Sequence, residues 1–188
     1  MKSNFRKEVL SKRLSLTQDT VTKKSIQITS NLLTLDCISK AKHIMVYLDF
    51  RNEVSTDLLI QELLHQNIHV SCPITDIKTR NLIPIEIHNL DKDICIGAYK
   101  IREPKSPSIP LPIERIDVVI VPLVAASFDG HRLGYGGGYY DRFLSKIRPD
   151  TITIGLAYEM QVFDTIPTEE HDVKLNYIVT ENRILSLL

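Results

Sequence analysis

Five of the seven glycines in this chain lie between Gly130 and Gly138. They follow a short apolar run, Val118 to Val121, whose β-branched side chains are typical of a strand buried on both faces, and Pro122 is expected to end that strand because it cannot donate to a ladder. After Gly138, aromatic and apolar side chains recur every three or four residues, which predicts a helix. The glycines therefore connect a buried strand to the start of a helix.

A glycine run in front of a helix is suited to bind an anion, because the first amides of a helix have no helical partner and lie at the positive end of its dipole. Gly136, Gly137 and Gly138 allow positive φ and a close approach of the backbone to phosphate oxygens. Arg132 and Asp141 flank the run. They offer a cation for phosphate and a carboxylate for Mg²⁺.

Two simpler interpretations remain open for this run. Three glycines also make a flexible connection, and Asp141 in a first helical turn stabilises the helix without any metal. The density of glycine beside Arg, Tyr and Asp favours a functional site. It is not a familiar nucleotide motif, since there is no G-x-x-x-x-G-K-[ST] and Tyr139 stands where a dinucleotide fingerprint requires Gly or Ala.

Length and charge restrict the class of protein. With 188 residues, the chain is expected to form a single domain, residues 1–188, with a substantial core. Lys and Arg number 23, as do Asp and Glu, so no general attraction to nucleic acid or membrane is predicted. No apolar run reaches the length of a membrane span, and the charged start lacks a signal-peptide core, so we expect a cytoplasmic protein. Cys37, Cys72 and Cys95 lack the spacing of a disulfide framework or zinc site and are expected to be core thiols.

The amino-terminal segment predicts a helix over residues 2–16, with apolar side chains at helical spacing. Lys2 and Arg6 are four residues apart, so both lie on one face and offer two cations to a phosphate. The alternative is a solvated basic face. Three more cations belong to that face: Lys7, Lys12 and Arg13.

Strands alternate with helices along the rest of the chain. Pro73 is expected to end one strand, Pro84 marks an edge strand, and the proline-rich residues 102–112 predict an extended loop. Further helices are predicted at about 21–33 and from a cap at Ser55, Thr56 and Asp57, and further strands at 44–48, 68–72, 82–87, 151–156 and 177–180. This alternation predicts an α/β fold, a single three-layer domain with a largely parallel open sheet flanked by helices.

Two loops carry further candidates. Glu53 lies between a predicted strand and a helix, and open α/β sheets bind ligands at the carboxyl ends of their strands, so it is a candidate substrate contact. A solvated loop carboxylate would give the same sequence. His171 and Asp172 precede the strand at Tyr177, where a turn with a solvated imidazole is the ordinary interpretation.

The segment from Arg132 to Arg142, RLGYGGGYYDR, resembles the signature of the 5-formyltetrahydrofolate cyclo-ligase family. The similarity covers nearly the whole chain. Other matching positions occur in the family's order at compatible spacing: Lys2 with Arg6, Glu53-Val54 before Thr56, Glu103-Pro104, Val121-Pro122, Gln161 and His171-Asp172.

This resemblance implies an ATP- and Mg²⁺-dependent, irreversible cyclisation of 5-formyltetrahydrofolate to 5,10-methenyltetrahydrofolate, with release of ADP and phosphate. The formyl oxygen would be phosphorylated, the folate N10 would attack the activated carbon, and phosphate would leave. Positioning and positive charge are what such phosphoryl transfer requires of a protein.

The resemblance also assigns roles to residues. Lys2, Arg132 and Tyr139 are implied to be catalytic, with Tyr139 at the formyl end, and Asp141 and Asp172 to hold Mg²⁺. The implied ATP contacts are Lys2, Arg6, Arg132, Leu133, Gly134, Tyr135, Gly136, Gly137, Gly138, Tyr139 and Tyr140. The implied folate contacts are Leu48, Glu53, Tyr135, Gly136, Gly137, Gly138 and Tyr139.

The chain departs from the family at one place. The family usually has Phe-Asp where this chain has Ala126 and Ser127, and its own Phe128-Asp129 comes two positions later. Tyr135 stands where the family varies among Arg, Met and Tyr. A folate- or phosphate-binding module without turnover is the second function class, and a nucleic-acid-binding domain is disfavoured by neutral charge and 6% aromatic content. We expect a monomer that acts on a small-molecule substrate.

Overall fold

The computed structural model describes residues 2–97, 101–105, 109–169 and 172–188. It contains a seven-stranded sheet, a three-stranded sheet and a two-stranded sheet. The helices are α1 (Lys2–Leu14), α2 (Gln18–Leu33), α3 (Asp36–Lys40), α4 (Asp57–His65), α5 (Leu90–Asp93) and α6 (Tyr139–Leu144). The strands are β1 (His43–Met45), β2 (His69–Asp76), β3 (Asn81–Ile87), β4 (Ile94–Ile96), β5 (Arg102–Pro104), β6 (Val118–Val121), β7 (Ala125–Ser127), β8 (Arg132–Leu133), β9 (Ile152–Leu156), β10 (Val162–Phe163), β11 (Tyr177–Val179) and β12 (Ile184–Ser186).

The large sheet has the order β12-β11-β9-β6-β1-β2-β3. Its five inner strands are parallel, and the two edge strands, β3 and β12, pair antiparallel with their neighbours. Strand β6 is buried along its whole length, as its run of β-branched residues predicts. The predicted α/β fold with a mostly parallel central sheet is confirmed.

The sheet separates two hydrophobic cores because successive side chains of a strand point to opposite faces. Ile44 of β1 and Ile120 of β6 belong to the core under α2 and α4. Met45 and Val119 belong to the opposite core, which Phe143 of α6 also enters. Sheet and helices therefore form three layers.

Strand β2 corrects one prediction. Pro73 does not end the strand, which continues to Asp76. Pro73 lies directly opposite Pro84 in the antiparallel pair with β3, and the pairing with parallel β1 has already ended at Ser71. Neither neighbouring strand requires an amide hydrogen from Pro73, so proline is tolerated there.

The structure differs from the sequence predictions at several other boundaries. β1 has only three residues, and α1 ends at Leu14. Thr56 occupies the N-cap of α4, but its hydroxyl donates to the carbonyl oxygen of Tyr47 and does not cap the helix. Part of the predicted loop at 102–112 forms β5, which pairs with β4. Cys72 is fully buried, whereas Cys37 and Cys95 are partly exposed, and all three are free thiols.

The connection between β6 and α6 is more structured than a loop. It contains the hairpin of β7 and β8, and β7 also pairs with β10. Helix α1 packs on this small sheet, with Val9 in a third core beside Val124 and Leu133. The ring of Phe5 meets that of Phe163 edge to face, with ring centroids 5.1 Å apart. This packing places α1 across the carboxyl ends of the parallel strands.

Candidate active site

Three loops leave the carboxyl ends of neighbouring parallel strands and meet beneath α1. The first, residues 46–56, follows β1 and carries Glu53. The second, 122–138, follows β6 and contains the glycine run, and the third follows β9 and contains Asp172. Ligands of open α/β sheets bind in crevices at this edge.

The backbone of the glycine run follows the prediction at two of its three consecutive glycines. Gly136 has φ of +97° and Gly138 has φ of +67°, in the region that side chains with a Cβ rarely adopt. Gly137 does not adopt a positive φ, so that expectation is wrong for it. Its constraint is steric, because a Cβ at Gly137 would lie 2.8 Å from the ring of Tyr139.

Helix α6 begins immediately after the run but is only six residues long, so it ends before Ile147. A helix this short contributes less dipole than the sequence prediction assumed. Positive charge at the run comes mainly from side chains.

Arg6 supplies one of those charges. Its Nε donates to the carbonyl oxygen of Gly134 at 2.7 Å. Its guanidinium also lies beside Gly136, where a Cβ would come within 3.4 Å of Cζ. The structure therefore brings the first helix to the glycine run, which the spacing of Lys2 and Arg6 alone does not predict.

Lys2 lies one turn earlier and contacts the third loop. Its Nζ is 2.9 Å from Oδ2 of Asp172 and 3.4 Å from a carboxylate oxygen of Glu169. Asp172 also accepts a hydrogen bond from the amide of Glu169 at 2.7 Å. His171, its neighbour in the sequence motif, lies outside the described residues.

Arg132 is the most enclosed of these cations, with a side chain only 3% exposed. One guanidinium nitrogen donates to Oδ1 of Asp141 at 2.6 Å, and Cζ lies 6.0 Å from the centroid of the Tyr140 ring. Within the described part of the chain, Arg132 Nε and the Tyr140 hydroxyl are buried without a hydrogen-bond partner. Burial lowers the pKa of Arg132, while Asp141, Tyr140 and Asp172 oppose that shift. Both predicted metal carboxylates are thus close to this arginine.

Glu53 is buried, at 6% exposure, and is not a solvated loop carboxylate. One carboxylate oxygen accepts from the amide of Phe50 at 2.8 Å, and the other accepts from the hydroxyl of Tyr135 at 2.6 Å. Burial raises the pKa of Glu53 to about 7, against the hydrogen bond from Tyr135 and the charge of Arg13. A carboxyl group that changes charge near neutral pH, next to the glycine run, is typical of a functional site.

The alternative interpretation, a solvated basic face that includes Arg13, is wrong for this residue. It is fully buried and donates to the carbonyl oxygens of Arg51 and Leu123 and to the hydroxyl of Tyr135. The sequence did contain a signal, because positions 2, 6, 9 and 13 recur at helical spacing and Val9 is apolar. A charged residue on the same helix face as an apolar residue indicates that its side chain is buried with a partner.

The loop before Glu53 is fastened to the end of α1. Arg51 and Asn52 have φ of 51° and 55°, a left-handed conformation that is uncommon outside glycine. The Asn52 side chain donates to the carbonyl oxygens of Arg13, Leu14 and Leu16, which lie at or just beyond the end of the helix. The start of α1 therefore contacts the glycine run, and the end of α1 contacts the loop that carries Glu53.

Two other residues predicted to contact the ligands, Leu48 and Leu133, have little exposed surface. Leu48 and Leu133 are core side chains, 7% and 3% exposed, so Leu133 presents mainly its backbone. The shifted Phe128-Asp129 pair lies in the β7–β8 turn, where Asp129 accepts from Ser127 and pairs with Lys174. Those contacts hold a turn together and do not involve the glycine run.

An open, mostly parallel sheet with a glycine run, three cationic side chains and a buried carboxylate at its carboxyl edge is typical of an α/β enzyme domain. A sequence model of the 5-formyltetrahydrofolate cyclo-ligase family matches residues 1–181. The chain belongs to that family.

Individual relatives agree with this assignment. The chain is 34% identical to the 5-formyltetrahydrofolate cyclo-ligase of Haemophilus influenzae over 176 residues, which cover 93% of this chain and 94% of the relative. It is 32% identical to the Escherichia coli K12 protein of the same name, covering 92% and 96%. The solution structure of Aquifex aeolicus 5,10-methenyltetrahydrofolate synthetase is similar, with a TM-score of 0.87, 31% identity, and coverage of 99% of this chain and 92% of that one.

Proposed function

We propose that this protein cyclises 5-formyltetrahydrofolate to 5,10-methenyltetrahydrofolate in a reaction that consumes ATP, requires Mg²⁺ and releases ADP and phosphate. The observation that carries the proposal is the arrangement of charge at one sheet edge. Arg6 and Arg132 both lie beside the glycine run, and the buried carboxylate of Glu53 is joined to the run through Tyr135. A polyphosphate site and a carboxylate site are therefore adjacent.

The phosphate site is assigned to Lys2, Arg6 and Arg132. Each now has a protein partner, Asp172 for Lys2, the Gly134 carbonyl for Arg6 and Asp141 for Arg132. Phosphate oxygens are better acceptors for these cations than a carbonyl and can share them with the carboxylates. The exposed backbone of Gly136 and Gly137 supplies further amide donors.

The donor set fits Mg²⁺ that is shared with ATP. Among the residues that the structure describes, no group of three His, Cys, Asp or Glu side chains is arranged to hold a metal ion. Mg²⁺ is usually bound through one or two carboxylates together with substrate phosphates and water, so such a cage is not required. Asp141 and Asp172 are the two carboxylates we assign, and the bound ion would neutralise phosphate charge.

The folate site is assigned to the loop after β1. The pterin ring of folates carries amide and amine hydrogens, for which the Glu53 carboxylate is a suitable acceptor. Leu48 lies on the same segment and Tyr139 lies beside Gly137, where we place the formyl end of the substrate. Tyr135 lies between the two sites.

The chemistry requires activation, because the oxygen of an N-formyl group is a poor leaving group. ATP supplies a phosphoryl group to that oxygen, N10 of the folate attacks the formyl carbon and loses its proton to solvent, and the C–O bond breaks as phosphate leaves. The residues at the site provide charge and orientation: Arg132 and Lys2 for the transferred group, and Glu53 for the ring whose N5 carries the formyl group. Such positioning supplies most of the rate in phosphoryl transfer.

Stoichiometry separates this function from a binding module that lacks turnover. The protein is mixed with 5-formyltetrahydrofolate and MgATP, and phosphate release and folate consumption are measured together. One phosphate for each folate consumed supports the cyclo-ligase. Folate binding by calorimetry without phosphate release would favour the binding module and contradict the proposal.

A further inference from the structure

Tyr135 makes a direct link between the glycine run and the loop that carries Glu53. Its hydroxyl accepts a hydrogen bond from Arg13 and donates one to Glu53 Oε1 at 2.6 Å. Arg13 Cζ also lies 5.5 Å from the centroid of the Tyr135 ring. The three side chains come from α1, the glycine run and the loop after β1, so the contact joins three separate segments.

The directions of these hydrogen bonds are fixed by chemistry. A guanidinium can only donate, so the Tyr135 oxygen must be the acceptor, and its single proton is then free for the carboxylate. A hydroxyl that accepts from a cation becomes a stronger donor, because hydrogen bonds in a chain polarise one another. The arrangement therefore favours an ionised Glu53 over a protonated one.

The guanidinium of Arg13 is itself fixed by hydrogen bonds to the backbone. Two of its nitrogens donate to backbone carbonyls, of Arg51 and Leu123. Its guanidinium therefore has one donor direction toward Tyr135 and little freedom to leave it. Because the side chains of Arg13 and Glu53 are both buried, this geometry has a strong effect on the charge of the carboxylate.

We propose that Arg13 and Tyr135 are positioning residues for Glu53: Arg13 orients the Tyr135 hydroxyl, and that hydroxyl favours the ionised form of the carboxylate and holds it in one orientation. The consequence for folate affinity rests on the proposed function. The hydrogen-bond relay itself does not, so the two can fail separately.

Other groups close to Glu53 also affect its pKa. Burial and the neighbouring Asp49 raise the pKa of Glu53, while Tyr135, Arg13 and the Phe50 amide lower it. Tyr47 and Tyr140 are close enough that the Glu53 charge raises their own pKa values, after burial, which is the larger cause. None of these other groups donates a side-chain hydrogen bond to the carboxylate among the described residues, so removing the Tyr135 hydroxyl isolates one contribution.

The test is a carboxyl ¹³C NMR titration of the free protein labelled at glutamate, with Glu53→Gln used to assign the Glu53 signal. Tyr135 is 41% exposed, so Tyr135→Phe keeps the ring and is expected to fold. We expect a wild-type midpoint of about 7. The midpoint should rise by about one pH unit or more in Tyr135→Phe, because a hydrogen bond to a charged group is lost.

Tyr177→Phe is the matched control, since it removes a tyrosine hydroxyl on β11, outside the site. Its Glu53 midpoint should equal that of the wild type. Arg13→Lys keeps the charge but loses the planar fork, and its midpoint should lie between those of the wild type and Tyr135→Phe. A Tyr135→Phe midpoint within a few tenths of a pH unit of the wild type, with intact fold, would overturn the proposal.

Steady-state kinetics extend the test to folate. At pH 7, Tyr135→Phe should raise the KM for 5-formyltetrahydrofolate about tenfold, with a smaller effect on the KM for ATP. An NMR shift in a protein without turnover would retain the relay and reject the proposed function. If the protein turns over substrate but Tyr135→Phe changes neither the Glu53 midpoint nor the folate KM, the proposed function is retained and the relay is rejected.

Discussion

Arg6 donates from Nε to the carbonyl oxygen of Gly134 at 2.7 Å, and this hydrogen bond connects the start of the first helix to the glycine run. The two residues are 128 positions apart. The same guanidinium lies beside Gly136, so a phosphate held by the run would meet this cation. An amino-terminal helix is thereby part of the proposed ATP site.

Replacing Arg6 by Ala should weaken ATP binding much more than folate binding. We expect the ATP Kd to rise about tenfold or more, because a charge-assisted contact to phosphate is lost. The folate Kd should change less than twofold, since Glu53 is held by other groups. Calorimetry with each ligand measures both. Lys7→Ala, an exposed cation on the same helix, is the control, and equal weakening of both ligands by Arg6→Ala would show that the helix is only structural.

A Cβ at Gly136 should impair phosphate binding without unfolding the protein. Gly136→Ala forces a left-handed conformation on an L-residue at φ of +97°, at a cost of about 1–2 kcal/mol, in an exposed loop. We expect ATP affinity to fall because the loop relaxes away from this geometry. Gly130→Ala, at φ of +91° in the β7–β8 turn, imposes similar backbone strain away from the run, and its melting temperature is measured as well because its Cβ would lie 2.8 Å from the Leu187 side chain. If the two variants show the same ATP affinity by calorimetry, the run is not the phosphate cradle.

Asp141→Asn should change both metal dependence and stability. Asp141 pairs with buried Arg132, so the substitution leaves the charge of this arginine without a counter-charge. We expect the free energy of unfolding to fall by roughly 1–3 kcal/mol, since the Asn oxygen can still accept a hydrogen bond from Arg132. The Mg²⁺ concentration required at saturating ATP should rise sharply, because a hard cation depends on the carboxylate charge. Activity against Mg²⁺ concentration and thermal melting measure the two effects.

Asp19→Asn controls for a general loss of negative charge, since Asp19 forms an exposed pair with Lys23. It should leave the Mg²⁺ curve unchanged and lower the melting temperature only slightly, because Asp19 lies in the first turn of α2. A destabilised Asp141→Asn with a wild-type Mg²⁺ curve would mean that this carboxylate serves only Arg132. We predict the same Mg²⁺ effect for Asp172→Asn.

Glu53→Gln should stabilise the free protein at alkaline pH. The pKa of Glu53 is raised from 4.5 to about 7, so between these values the folded state binds a proton that the unfolded state does not. Wild-type stability therefore falls as pH rises through this window, by up to about 3 kcal/mol, whereas Gln has no charge to bury.

Denaturant unfolding at pH 5 and pH 8 measures that difference. The stability of Glu53→Gln minus that of the wild type should be larger at pH 8 than at pH 5. Gln can still accept from the Phe50 amide and donate to the Tyr135 oxygen, so the contacts survive. An equal difference at both pH values would contradict a buried, titrating Glu53.

Much of the fold could be predicted from local pattern. The β-branched run of β6 and the helical spacing of α1 both follow from periodicity, which depends on neighbouring residues alone. The prediction for Pro73 is wrong because proline is tolerated according to which side of β2 is paired, and pairing is a tertiary property. The predicted length of β1 is too great for the same reason.

Only the part of the site that is contiguous in the sequence could be predicted. The glycine run, Arg132 and Asp141 are contiguous, and their chemistry could be inferred together. The relay of Arg13, Tyr135 and Glu53 could not, because its members come from three segments, more than 80 residues separate Glu53 from Tyr135, and an arginine near a helix end is ordinarily solvated. Only the shared helical face of Val9 and Arg13 gave a hint.

Near-ultraviolet absorbance of the methenyl product tests the central claim most directly. The protein is mixed with 5-formyltetrahydrofolate and MgATP, and parallel samples omit ATP, Mg²⁺ or protein. We predict that absorbance rises only in the complete mixture and stops when the limiting substrate is exhausted. Folded protein that gives no absorbance change in the complete mixture would contradict the account.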